Sequence, residues 1–237
     1  MSLTAPIPAL ADIRTGLAVD TLDVAEPLVD LAEHSGGSVI CDAAYRKGGR
    51  GAPDRCYVRL GVAERLLWAL ALLPSGVRFV VFDSWRPLDL QRRLFDDQVA
   101  QLLLQHPEWT AEAARAQAAL FVADPDASTP PHCTGGAVDL GLAARDGTPL
   151  EFGTEFDDFS PRSATRYFED ALDAGRILSA SEEEALRDRR MLFHALAAAG
   201  FTNYPAEWWH FDYGDAFWAQ AVGGPALYGP AGSPGSA

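Results

Sequence analysis

The ten residues 205–214, PAEWWHFDYG, constrain this chain more than any other stretch. Two tryptophans, a phenylalanine and a tyrosine call for burial, yet a histidine and two acids travel with them. Either this is aromatic core that happens to contain His210, or it is a core built to hold Glu207 and His210 still. The run EWWHFDY reads as a late β-strand, with Pro205 at its entry.

Other elements follow from periodicity and punctuation. Residues 62–73 (VAERLLWALALL) form a helix stopped by Pro74-Ser75-Gly76. VRFVVFD, 77–83, is a short buried strand. Helices are expected over 87–104, with Pro in the first turn, and over 111–122. A run of turn residues spans 123–131. GGAVDLGLA, 135–143, is a strand, and 182–199 is an amphipathic helix closed by Gly200. Residues 46–55 (RKGGRGAPDR) read as an exposed loop, and the acidic segment from Glu151 to Pro161 as a flap beside a site.

Short strands mixed with helices, without internal repeats, indicate a single α+β domain: a short, mostly antiparallel sheet flanked by helices. Residues 1–36 are expected to form an arm packed on the domain, 37–222 the domain itself, and 223–237 a flexible tail.

A net charge of −14 disfavours nucleic acid and anionic membranes as partners. The opening residues lack the pattern of a signal peptide and no run is long enough to span a membrane, so a cytoplasmic location is expected. The three cysteines, widely spaced, read as reduced thiols rather than a disulfide framework or a thiolate metal site.

Of five histidines, His34, His106 and His194 fall where packing or solvent accounts for them. His132 stands after STPP at the mouth of a strand that carries Asp139, with two glycines between to let the backbone swing close. Alone, His132, Asp139 and His210 are each compatible with structural roles. Together, two imidazoles and a carboxylate make a three-ligand set that leaves a fourth position open for water. Glu207, three residues before His210, could take that water's proton and deliver it to a leaving amine. DSWRP, 83–87, ends a strand with Arg86, whose guanidinium suits a developing oxyanion.

Four stretches in order, DSWRP, HCTGGAVDL, EFGTEFDDF and AGFTNYPAEWWHF, resemble the D-alanyl-D-alanine dipeptidases, zinc enzymes of the wider D-alanyl carboxypeptidase and hedgehog-like fold. The resemblance runs over about residues 60–215. It implies one zinc ion per chain on His132, Asp139 and His210, Glu207 as catalytic base, Arg86 as transition-state stabiliser, and Asp157 as the group that holds the dipeptide's ammonium. The implied reaction is hydrolysis of a small dipeptide, D-alanyl-D-alanine first, by metal-activated water, a peptidoglycan-related activity. Pro130 stands where family members carry serine, Cys133 where serine is frequent, and VICDAAY, ending at Tyr45, replaces the usual N-terminal motif. These departures fall on the substrate side of the resemblance and leave its metal side whole. Alternatives are a related zinc amidase or dipeptidase with another small substrate, a non-haem iron oxygenase using the same three ligands, and a zinc-binding module without catalysis. Retention of Glu207 and Arg86 favours an enzyme. The sequence does not specify an oligomeric state.

Overall fold

The run Ala137–Ala143, AVDLGLA, is buried at every residue, as a strand covered on both faces has to be. It is the middle of the molecule, and its one charged side chain is Asp139. The computed structural model describes residues 2–13, 17–47, 52–158 and 160–234. In chain order the elements are β1 (Leu28–Asp30), α1 (Leu31–His34), β2 (Ile40–Cys41), α2 (Ala44–Lys47), β3 (Tyr57–Arg59), α3 (Leu60–Leu72), β4 (Arg78–Asp83) and α4 (Leu88–Gln105). There follow α5 (Ala111–Ala118), α6 (Pro131–Thr134), β5 (Ala137–Ala143), a single 3-10 turn at Pro161–Ser163, α7 (Tyr167–Asp173), α8 (Ala180–Ala198), β6 (Thr202–Asn203), β7 (His210–Asp212) and α9 (Ala216–Val222).

Five strands form the main sheet in the order β2-β4-β5-β7-β6, antiparallel except for β2 against β4, and β1 pairs with β3 in a separate antiparallel ribbon. The α+β expectation holds. One consequence of register matters most: Asp83 pairs with Asp139 and Asp139 with His210, so three polar residues stand abreast across three strands. Behind the sheet, α3 and α8 pack on each other and on the buried Phe79, Leu140, Leu142 and Phe211. α8 starts with a capping box in which Ser179 and Glu182 exchange side-chain and backbone bonds.

The long elements lie within a few residues of their expected bounds. α5 ends at Ala118 rather than 122, because Leu120 to Val122 turn back onto the carbonyls of Gln117 and Ala118. The expected strand over EWWHFDY shortens to His210–Asp212. Glu207 to Trp209 form turns instead: the Glu207 N–H donates to the Tyr204 carbonyl at 3.1 Å and that of His210 to the Glu207 carbonyl at 3.3 Å. The Asn203 amide clamps this bend by donating to the carbonyls of Glu207 and His210.

The arm is tied down through Ile7, buried at 1% exposure, whose N–H donates to Glu169. The segment expected as a loose tail is also engaged: Ala226 and Leu227 pair with Asp20, Leu22 and Val24, Tyr228 is buried, and the Ala231 N–H donates to the Cys133 carbonyl at 2.8 Å. Of the expected loop at 46–55, residues 48–51 lie outside the described residues, as do Phe159 of the flap and 235–237 of the tail. The three cysteines are free thiols. Among the described residues no helix is long and apolar enough to cross a membrane.

Candidate metal centre and active site

α6 is one turn long. Pro131 opens it and Gly135 closes it in the left-handed region, φ 75°, where an added Cβ would lie 2.5 Å from Leu28. That tight closure turns the chain directly from His132 into β5. His132, Asp139 and His210, on α6, β5 and β7, then offer ligand atoms that all lie within 4.8 Å of one another.

Each imidazole is committed by a bond on its far side. His132 Nδ1 meets the Ser84 carbonyl at 2.9 Å, a contact in which only the ring nitrogen can donate, so Nε2 is left for the cluster, 3.3 Å from Asp139 Oδ2. His210 is turned the other way: Nε2 meets Asp212 Oδ1 at 2.8 Å, and Nδ1 faces Asp139 Oδ1 at 2.9 Å. Two imidazoles and a carboxylate are a donor set that fits zinc in kind, and their ligand atoms lie close enough together, within 4.8 Å, to converge on one ion.

Charge agrees with this fit. Burial opposes a proton on His210, but Asp212 and Asp139 outweigh it and draw the imidazole well above its usual range. Burial likewise raises the Asp139 carboxyl, yet the two histidines hold it below the ordinary carboxylate range. A cluster that pulls protons onto one member and off another favours positive charge at its centre, which a divalent cation supplies.

Glu207 Oε2 lies 3.9 Å from His210 Nδ1. Burial, with Asp139 and Asp157 nearby, pushes its carboxyl up to about 8. The turn brings Glu207 and His210 to one side, which strict strand alternation over that interval would not do. Arg86 is buried, forks onto Asp83, reaches Gln91 Oε1 at 2.6 Å and lies over the Tyr45 ring at 4.9 Å. Burial works against its charge, but Asp83, Tyr45 and Asp139 hold it more firmly protonated than usual.

Asp157 closes the other end. It takes a left-handed backbone, φ 61°, accepts from the Tyr45 hydroxyl at 3.1 Å, and is pushed by burial up to about 6. An acid in that conformation is tolerated but uncommon, and here it turns the carboxyl inward. Arg86, His132, Asp139, Asp157, Glu207 and His210 all line one cleft of about 520 Å³ including its mouth. The structure therefore brings all six expected site residues together.

The two tryptophans divide the work of holding the bend. Trp208 stacks on Phe152 at 4.0 Å and donates to Thr154, fastening the bend to the flap. Trp209 is fully buried and meets Phe156 edge-on; truncating such a residue to alanine typically costs about 3–5 kcal/mol. Sequence reasoning missed Asp212, Asn203 and Arg59. Asp212 had a signal, since His210-Phe211-Asp212 is a short H-x-D run. Its carboxylate takes the His210 nitrogen that points away from the cluster, so it backs the ligand set rather than joining it. Arg59 is buried behind α6 and donates to the carbonyls of Thr134, Glu26 and Gly229.

A family model described as D-ala-D-ala dipeptidase, peptidase M15, matches residues 47–223. The chain belongs to this family. It is therefore a metallopeptidase. A curated D-alanyl-D-alanine dipeptidase of Synechocystis is 32% identical over 87% of this chain and 90% of that protein. One of Escherichia coli is 28% identical over 67% of each. Solved structures are more distant: VanYB in complex with D-alanine-D-alanine is 21% identical, with 72% of this chain and 81% of that one covered and a TM-score of 0.43. The LD-carboxypeptidase LdcB is 17% identical over 92% of both chains, also at 0.43. Family membership rests on the sequence matches. The matched region holds all six cleft residues and leaves out Tyr45, the arm and the tail.

Proposed function

We infer that this M15 peptidase hydrolyses a small dipeptide with a free ammonium, D-alanyl-D-alanine first, using zinc on His132, Asp139 and His210. Members of the family are zinc-dependent, and both curated relatives carry the name D-alanyl-D-alanine dipeptidase. The observation that carries the reading is the convergence of the two imidazoles and Asp139 with Glu207 beside them, 3.9 Å from His210.

Bound there, zinc supplies a Lewis acid that polarises the scissile carbonyl and acidifies a water. Glu207, the catalytic base, takes the proton of the attacking water and passes it to the departing amine; a carboxyl raised toward neutrality suits both halves of that exchange. Arg86, locked by Asp83 and Gln91, offers a permanent charge to the oxyanion without having to reorganise. Asp157 and Tyr45 receive the ammonium and so fix which end of the dipeptide enters first.

One observation favours a second reading, a dipeptidase retuned for another departing residue. Pro130 and Pro131 line the cleft, and neither offers a backbone N–H or a hydroxyl to a substrate carboxylate. A single assay separates the two. Zinc-loaded protein is offered D,D, L,L and mixed dipeptides, and release of free amino acid is measured. D-alanyl-D-alanine should be cleaved fastest; preference for another dipeptide selects the second reading, and no turnover of any of them refutes both.

A further inference from the structure

Two buried acids beyond the ligand set have no part in the chemistry above. Asp212 and Asp215, in the run HFDYGD, are 1% and 0% exposed. Strand alternation places His210 and Asp212 on one face of β7, which is why the imidazole Nε2 reaches Asp212 Oδ1 at 2.8 Å. Asp215 is the N-cap of α9, and its Oδ1 accepts from the N–H groups of Phe217 and Trp218, both at 3.0 Å. Its other oxygen, Oδ2, is buried with no donor facing it. An ionised oxygen in that position is costly, whereas a carboxylic O–H can donate to the neighbouring Asp212. Burial and the closeness of Asp212 both favour that proton.

We propose that Asp212 and Asp215 form a hydrogen-bonded chain that orients His210 from behind: Asp215 donates to Asp212, and Asp212 accepts the Nε2 proton of His210, so that Nδ1 presents its lone pair to the metal. The inference rests on His210 being a zinc ligand. Both acids are positioning residues. Their effect on the reaction passes through the tautomer and tilt of one ring. The arrangement also links the metal centre to the start of α9, an element without a catalytic group of its own.

The test measures zinc affinity by competition with a chromophoric chelator, alongside thermal unfolding of the metal-free protein. Asp212→Ala should weaken zinc binding roughly 10- to 100-fold, the usual cost of losing a carboxylate behind a ligating histidine. Asp215→Asn keeps a donor toward Asp212 and an acceptor toward α9, so its affinity should stay within about threefold of the parent, while Asp215→Ala falls further. Parent-like affinity in Asp212→Ala, or equal losses in Asp215→Asn and Asp215→Ala, overturns the chain. Nitrogen NMR of the parent zinc-loaded protein gives an answer that needs no variant. A proton on Nε2 of His210 is expected; a proton on Nδ1 refutes the proposal even if Asp212→Ala does not fold. His210→Ala tells this failure from that of the underlying reading, because unchanged zinc binding there removes His210 as a ligand altogether.

Discussion

The two ends of the cleft are built differently. At the end proposed to hold zinc, Asp139 and His210 sit in paired strands, each imidazole has a second bond on its far side, and Arg59 fastens α6 through three backbone carbonyls. At the end proposed to take the substrate's ammonium, Asp157 hangs in an irregular segment, and its partner Tyr45 lies on a four-residue helix. That segment is held by an arginine too: Arg189 donates to the carbonyls of Phe152, Arg162 and Ala164. Both arginines are buried on carbonyl oxygens without a carboxylate among those partners, and burial lowers the pKa of each, that of Arg189 to about 9. The difference lies in what they hold. Arg59 joins three separate parts of the chain around a rigid turn; Arg189 gathers one loop. Two of the three proposed ligands, Asp139 and His210, stand in paired strands, whereas Asp157 stands on a loop. Of the departures from the family pattern, VICDAAY leads into Tyr45 beside Asp157, while Pro130 caps α6 two residues before His132.

The comparison fails if damage at one end has the kinetic signature of the other. The largest effect belongs to Glu207→Gln, expected to lower kcat by about 10²–10⁴-fold with zinc content unchanged in a metal assay. Full turnover in the zinc-bound variant removes Glu207 from the mechanism. Arg86→Lys loses the planar fork and should lower kcat by about 10²–10³-fold with little change in KM, read from initial rates. At the other end, Asp157→Asn should raise KM for the dipeptide roughly 10-fold or more and leave kcat within a few-fold, because it removes the ammonium's counter-charge and nothing at the scissile bond. A fall in kcat alone would move Asp157 into the chemistry.

The smallest effect concerns how the loop is hung. Asp188 on α8 accepts the Glu151 N–H at 3.1 Å, and burial pushes its carboxyl up to about 6. A raised carboxyl favours the folded state through its proton, fully below the unfolded value of about 4 and less as pH rises through about 6. Asp188→Asn keeps the acceptor and removes the charge. It should raise the thermal midpoint at pH 7.5 by the equivalent of no more than about 1 kcal/mol, since solvent screens a half-buried group, and the gain should vanish near pH 4. A gain that persists at pH 4 would assign the effect to packing.

The long elements were legible because periodicity and punctuation are local: α3 before Pro74, β4, α4, and α8 before Gly200 all lie close to their expected bounds. That the six cleft residues would meet was legible because each lies in or beside a contiguous motif resembling those of the dipeptidase family. What escaped was fixed by distant contacts. β6 and β2 are two residues long and carry no period to read. Asn203 has a role only because residues 204–210 fold back over it, with Thr165 donating to its side-chain oxygen. Arg59 and Arg189 answer to carbonyls from 25 to 170 positions away, which no local pattern encodes. The bend at Glu207 was the nearest miss, since Pro205 marks it, but a run of aromatics speaks for a strand more loudly than one proline speaks for a turn.

The bonds from Arg59 to Gly229 and from Ala231 to Cys133 make a late stretch of the chain part of the seat of His132. A polypeptide cut where the family match ends, at residue 223, would keep every cleft residue and lose both of these braces.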